Sequence, residues 1–397
     1  MLKFATTSAE QLWAFTGNMH LFGIDVSHYI HQCELPDRLL FKGDMKISTH
    51  LVYRFLDHVA TSESCPDLGW QTGLKSGYTG LRGLASRALQ EQTLKQCLKL
   101  IPRLTYTGAS HADFFMLTRH DKVEFCHIGG VVRDYPGYYH VESYLVMVIL
   151  DIIHQYVPAS FTPSIIRLRS PEPKDWDRQL QSLMDNQDSV GQFHKFNLNK
   201  ELISFGNPHT TIEFSNQYLN CQRRRKLVTI SAIQDSASTD IRLPETSPSA
   251  DASEPSNTRL SVSSTLDAPI CRKSYPELAN LIDILLPYFG QQMPSLNSVA
   301  IMGHISPRNL QRALKSQNLT LTLLIQQLRQ ELAVKLLMQG QSVQDIARRL
   351  GYQHSTHFIR TFKQLCGITP KQFQKNPQQQ LPTITQVTQS IMSHNPL

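Results

Sequence analysis

The sequence predicts an α+β N-terminal domain with one small sheet, followed by an all-α C-terminal domain of two helix-turn-helix units joined by a long helix. Three observations predict this. A pattern of helix cap, turn residue and apolar helix face occurs twice between residues 295 and 374. Leu324, Leu328, Leu332 and Leu336, spaced four apart, separate the two copies. Further upstream, helical periodicity gives way to two-residue alternation.

Along the first domain, helical spacing predicts helices near Ala9–Met19, Val26–Cys33, Thr49–Ala60 and Thr93–Ile101, with a short helix opening at Gly80–Leu84. Alternation predicts strands at Ala112–Thr118 and Lys122–Ile128. A long helix is expected over Tyr139–Tyr156 and another over Trp176–Met184. Strands are expected at Ser164–Leu168, Thr210–Phe214 and Lys226–Ile230. The small sheet is expected to be antiparallel.

From Asp235 the chain turns rich in Ser, Thr, Pro, Asp and Glu, with almost no aromatics, until Asp267. Such a segment buries too little apolar surface to fold. The tail after Asn376 is rich in Gln and Pro. The boundaries expected are therefore a domain at 1–233, a disordered linker at 234–270, a double helix-turn-helix domain at 271–376 and a disordered tail at 377–397.

In the first C-terminal unit, Ser306 is placed to cap a helix that Pro307 opens. Leu310 and Leu314 then point inward, leaving Arg308, Asn309, Gln311, Arg312 and Lys315 on the polar face. Leu321 to Gln339 forms the connecting helix, stopped by Gly340. In the second unit Ser342 caps a helix, with Asp345 in its first turn. Gly351 sits at the sharp turn. The next helix buries Phe358, Phe362 and Leu365 and presents Ser355, Thr356, His357, Arg360 and Lys363. These are groups that read base edges and hold phosphates. Arg308, Asn309, Gln311 and Arg312 would reach the groove from the first unit, and Thr356, His357 and Arg360 from the second. Lys315 and Lys363 suit phosphates. A rod of nineteen residues at ~1.5 Å rise is roughly 28 Å long, close to the ~34 Å between successive major-groove faces.

Charge follows the same division. The chain carries +7 overall, but residues 271–376 hold 13 Lys/Arg against 4 Asp/Glu. Residues 236–270 hold two basic against five acidic residues. The positive excess thus lies where phosphate neutralisation requires it.

Residues 278 to 373 resemble the DNA-binding domain of the AraC/XylS family of bacterial transcription regulators. The resemblance rests on Ser306-Pro307-Arg308-Asn309-Leu310-Gln311-Arg312, on Leu328-Arg329 with Glu331-Leu332-Ala333, and on Ile346-Ala347-Arg348-Arg349-Leu350-Gly351-Tyr352. It continues through Phe358-Ile359-Arg360-Thr361-Phe362-Lys363 to Gly367-Ile368-Thr369-Pro370 and Phe373. Two departures stand out. His304 replaces the family's usual turn glycine, with Gly303 where an apolar residue is normal. Gln353-His354 replaces the usual cap of the second recognition helix.

Residues 21 to 219 resemble the effector-sensing domain of one subgroup of that family, through Gly23-Ile24-Asp25, Leu68-Gly69 with Gly73, Gly80-Leu81-Arg82-Gly83-Leu84-Ala85, Thr93-Leu94, Pro163 and Ser170-Pro171. They lack the strand pattern of the namesake's sugar-binding barrel. The resemblance implies a small-molecule effector or a homodimer contact in the first domain. It also implies double-stranded promoter DNA and RNA polymerase as partners, and activation of transcription. A repressor, or a weakly specific DNA binder whose first domain only dimerises, is the alternative.

No catalytic, metal or cofactor constellation is expected. Cys126-His127 would suggest a nucleophile beside a base, but neighbours on a strand face opposite ways. DNA-repair methyltransferases that share this type of helix-turn-helix carry Pro-Cys-His-Arg and a zinc-binding cysteine cluster. Here Phe125 and Ile128 flank the pair, and the seven cysteines are scattered with no Cys-x-x-Cys. That spacing fits reduced thiols and a cytoplasmic protein. The N-terminus lacks the apolar run of a signal peptide, and Tyr144–Ile153 is too short to span a bilayer. His140 and His154 are read as core or surface histidines rather than metal ligands. Arg133, Arg167 and Arg169 are read as ordinary surface residues more readily than as an anion site.

Overall fold

The computed structural model describes residues 4–110, 112–187, 198–224, 272 and 275–377. The strand expected at 226–230, the linker at 234–270 and the tail from 378 lie outside the described residues.

The N-terminal domain opens with β1 (Thr6–Ser8) paired antiparallel to β2 (Lys46–Ser48), Thr7 opposite Ile47. This two-stranded ribbon, absent from the sequence reading, is too short to show an alternation. Ala9–Leu12 is a 3-10 turn, so the expected first helix begins only at α1 (Trp13–Leu21). The Asp25 carboxylate accepts from the Ser27 and His28 amides and starts α2 (Val26–Gln32). α3 (Thr49–Ser62) leaves β2 directly and buries Leu51, Val52, Phe55, Leu56 and Val59.

α4 (Leu68–Ser76) and α5 (Arg82–Ala88) follow. α6 (Leu94–Gly108) opens with the capping box of Thr93 and Gln96. The sequence reading ends this helix at Ile101, just before Pro102, which lacks a backbone donor. The helix instead runs through the proline. The apolar stripe of Leu94, Leu98 and Ile101 continues to the buried Thr105, whose hydroxyl donates to the Ile101 carbonyl. Tertiary burial outweighs local propensity here.

The hairpin of β3 (Ala112–Arg119) and β4 (Lys122–Gly129) matches the expected strands. α7 (Tyr138–His154) is the central buried helix. β5 (Ile165–Arg167), α8 (Trp176–Gln187), β6 (Ile203–Ser204) and β7 (Thr210–Ser215) complete the domain. The sheet order is β3-β4-β7-β5-β6. Every pair is antiparallel as expected except β5 with β6, which run parallel with Ile166 opposite Ile203.

The close approach of α4 to α7 explains the Leu68-Gly69…Gly73 signature. A Cβ on Gly69 would lie 2.0 Å from the His140 carbonyl oxygen, and one on Gly73 2.5 Å from Met147 Cβ. Only glycine at both positions lets the helix backbones meet.

The C-terminal domain is all α: α9 (Ala279–Leu285), α10 (Leu296–Met302), α11 (Pro307–Lys315), α12 (Leu321–Met338), α13 (Val343–Arg349), α14 (Ser355–Cys366) and α15 (Pro370–Lys375). Val299, Ala300, Leu310 and Leu314 form the core of the first unit. Ile346, Ala347, Phe358 and Phe362 form that of the second. Of the four linker leucines, Leu324 and Leu328 are fully buried and Leu332 and Leu336 partly so. The described residues on either side of 224–267 form one compact unit.

Candidate nucleic-acid interface

Side-chain caps start most of the helices of the two units. The Ser306 hydroxyl accepts from the Asn309 amide at 3.2 Å, and Pro307 is the first residue of α11. The Ser342 hydroxyl accepts from the Asp345 amide at 3.1 Å and starts α13. α14 begins at Ser355 with no side-chain cap from His354, as the substituted cap position suggests. Its C-terminus closes on Gly367 at φ 76°. Thr369 and Gln372 form a capping box that opens α15.

The turn residues behave as expected. Gly351 has φ 79° and His304 has φ 49°. Left-handed backbone is uncomfortable for most side chains, and histidine is among those that tolerate it more readily.

Arg308, Asn309, Gln311, Arg312 and Lys315 are all exposed on α11, opposite the buried Leu310 and Leu314. On α14, Thr356, His357, Arg360 and Lys363 are exposed and Ser355 is half-buried. His357 also sets its ring edge-on to Tyr352, with centroids 5.4 Å apart. Leu365, expected in the core, is only partly buried, and Cys366 takes the inward position.

α12 fixes the second unit through specific contacts. The Arg329 guanidinium lies 5.3 Å from the centre of the Tyr352 ring, a cation–π arrangement. The Gln330 side-chain amide donates to Cys366 Sγ at 3.0 Å in a buried position. The eighteen residues of α12 make a rod of ~27 Å at ~1.5 Å per residue.

The other sequence candidates are structural. Cys126 is buried beside Thr211, 3.6 Å from its hydroxyl, and burial pushes its thiol above the ordinary range. An activated thiolate needs the opposite shift. Arg167 pairs with Glu213 at 2.8 Å and Glu124 at 3.5 Å. Arg169 donates to the Gly129 carbonyl at 3.1 Å and the Tyr138 hydroxyl at 3.2 Å. Arg133 lies 3.9 Å from Asp134. His140 and His154 are buried, and among the described residues no group of three or more His, Cys, Asp or Glu is placed to hold a metal. No helix among the described residues is long and apolar enough to cross a membrane.

Residues 299–376 match the family described as a helix-turn-helix domain. Residues 23–183 match the arabinose-binding N-terminal domain of AraC transcription regulators. The chain belongs to the AraC/XylS family. It is 34% identical over 77 residues to the HTH-type transcriptional regulator AdiY of Escherichia coli K12, covering 19% of this chain and 30% of that protein. It is 35% identical over 71 residues to the virulence regulon transcriptional activator VirF of Shigella flexneri, covering 18% of this chain and 27% of that one. The chain thus spans less than a third of the length of these curated relatives. Among solved structures, the transcriptional regulator CdpR of Pseudomonas aeruginosa aligns over 88% of this chain and 96% of its own, at 14% identity and TM-score 0.33.

Against the family's pattern, the Gly303-His304 departure has a physical cause. Phe4 packs where a side chain at 303 would go: a Cβ there would lie 2.6 Å from Phe4 Cε1. The His304 ring stacks on His50, centroids 5.3 Å apart and planes 17° apart, and meets Tyr135 edge-on at 5.0 Å. The turn of the first unit is therefore shaped to the N-terminal domain. Hydrogen bonds add to this contact: Asn280 donates to the Phe4 carbonyl at 2.9 Å, and Tyr288 to the Glu34 carbonyl at 2.8 Å. Sequence reasoning missed Phe4, Ser48, His50 and Tyr135 as contact residues. The two anomalous residues at 303 and 304 were the available signal.

Proposed function

We propose that this chain is an effector-responsive transcription regulator that binds two successive major-groove segments of promoter DNA, one through each helix-turn-helix unit. The observation that carries this reading is the pair of helices α11 and α14, each with a buried apolar face and an exposed polar and cationic face, joined by α12. Arg308, Asn309, Gln311 and Arg312 on one, and Thr356, His357 and Arg360 on the other, are assigned to base edges. Lys315, Lys363 and Ser355 are assigned to the backbone of the DNA.

Family likeness supports activation through RNA polymerase, a cytoplasmic location, and an N-terminal domain that takes a small molecule or pairs with a second copy. The test is selection of genomic fragments by the purified full chain at near-physiological salt, followed by transcription in vitro from a selected promoter. Recovery of one shared motif and increased transcript support an activator. A shared motif with decreased transcript makes it a repressor. Uniform recovery of all fragments, with steep salt dependence, makes it a weakly specific binder.

A further inference from the structure

A cavity of about 70 Å³ lies at the heart of the N-terminal domain, between the β3–β4 hairpin and helices α1, α3, α5, α6 and α7. No Asp, Glu, Lys or Arg lines it. Its walls are mostly aliphatic and aromatic, with Phe15, Val52, Leu84 and Phe114 among them. His127, Tyr53 and Tyr144 also reach it, the buried Tyr144 hydroxyl with no hydrogen-bond partner, and two further polar groups are engaged within the protein. The Thr7 hydroxyl donates to the Gln11 side chain at 2.7 Å, and the Thr105 hydroxyl donates to the Ile101 carbonyl at 3.1 Å.

This lining decides the chemistry. A sugar brings a hydroxyl on nearly every carbon, and each one buried without a partner costs ~1–3 kcal/mol. An amino acid brings two charges that meet no counter-charge here, which costs more. An apolar body forfeits no hydrogen bonds on entry and gains roughly 25 cal/mol per Å² of surface removed from water.

The cavity also shares an element with the DNA-binding half. Thr49, Val52, Tyr53 and Leu56 of α3 face the cavity. Ser48, which caps α3, donates to the Met302 carbonyl at the end of α10, and His50 stacks on His304. One turn of α3 thus touches both the cavity and the first helix-turn-helix.

From these observations we infer that the effector is a neutral, largely apolar small molecule held in this cavity, and that α3 transmits its presence to the first helix-turn-helix unit. The inference rests on the reading of the chain as an effector-responsive regulator and names its ligand class. Recognition of a sugar, which the matched family's description attaches to the namesake, does not fit this lining.

The test is thermal melting of the purified full chain with straight-chain primary alcohols from butanol to decanol, and with L-arabinose and L-arginine as polar comparators. The expected result is a saturable rise in melting temperature that peaks at one alcohol chain length, with no rise for arabinose or arginine. Val141→Phe on α7 and Ala112→Leu on β3, both at lining positions, should each abolish the rise; either one that folds suffices. A rise with arabinose or arginine instead, or an alcohol effect unchanged in a folded filled variant, overturns the ligand class. The best alcohol should also change affinity for a selected DNA fragment at least about fivefold. Binding with unchanged DNA affinity overturns the α3 relay. Specific DNA binding without any alcohol effect removes the cavity inference and leaves the regulator reading standing. Alcohol binding without DNA binding does the reverse.

Discussion

The Ser48 hydroxyl donates to the Met302 carbonyl at 2.7 Å while accepting from the Leu51 amide at 3.3 Å. One buried side chain therefore serves the N-terminus of α3 and the C-terminus of α10, two helix ends that both need partners. Ser48→Ala removes a cap and leaves the Met302 carbonyl without this donor. The expected loss is ~1–3 kcal/mol, read from urea denaturation. A loss below about 0.5 kcal/mol would mean that water replaces both bonds.

Phe4 and Gly303 should be energetically coupled. Phe4→Ala removes a buried ring and should cost ~3 kcal/mol, and Gly303→Leu should cost ~1–3 kcal/mol by overpacking. Gly303 has φ −94° in the right-handed helical region, so backbone strain does not enter. In the double variant the ring is gone and the new side chain has its space. The two costs should sum to ~0.5–3 kcal/mol less than their separate values. Simple additivity would place Phe4 away from this turn in solution.

Two buried groups oppose each other in acid. Burial raises the Asp151 carboxyl to about 6, against which the Tyr78 amide donates to it. Burial lowers His140 to about 4. A raised carboxyl binds more protons when folded, so its contribution grows as pH falls from 6 towards 4. A lowered imidazole binds fewer when folded, so its contribution shrinks as pH falls from 6.5 towards 4. Each acts at up to ~1.4 kcal/mol per pH unit. The intact chain should show only a shallow net change from these two between pH 6 and 4. Asp151→Asn should make stability fall more steeply with acid, and His140→Gln should make it fall less or rise. Identical pH slopes in all three proteins would show that neither group titrates as described.

On DNA, Arg312→Ala should cost ~1–3 kcal/mol at a selected site and relax preference at one base position. Lys363→Ala should weaken all sequences alike and lower the salt slope by about one. Equal loss on every sequence for Arg312→Ala would reassign it to a phosphate.

Much of the C-terminal domain was legible because its signals are local. Ser306, Pro307 and Ser342 cap as their types dictate, and Leu310, Leu314, Phe358 and Phe362 fall on the buried faces that helical spacing assigns. The N-terminal domain was legible for its helices other than α4, whose Gly69 and Gly73 weaken the helical signal, and for the β3–β4 hairpin, whose alternation spans eight residues a strand. The β1–β2 ribbon and the parallel β5–β6 edge were not, because strands of two or three residues carry no period and pairing is a long-range choice. The run of α6 through Pro102 was hidden for the same reason: burial around Thr105 decides it, not propensity. The contact of Phe4, His50 and Tyr135 with Gly303-His304 joins residues more than 150 positions apart, and only the oddity of the pair at 303 and 304 marked it.

The most direct measurement is hydroxyl-radical footprinting of the full chain on a selected fragment. The account predicts two protected patches on one face of the duplex, about 10 base pairs apart. Arg308→Ala with Arg312→Ala should weaken one patch, and Thr356→Ala with Arg360→Ala the other. A single patch sensitive to only one of these helices, or uniform protection along the fragment, would contradict a two-headed reader of promoter DNA.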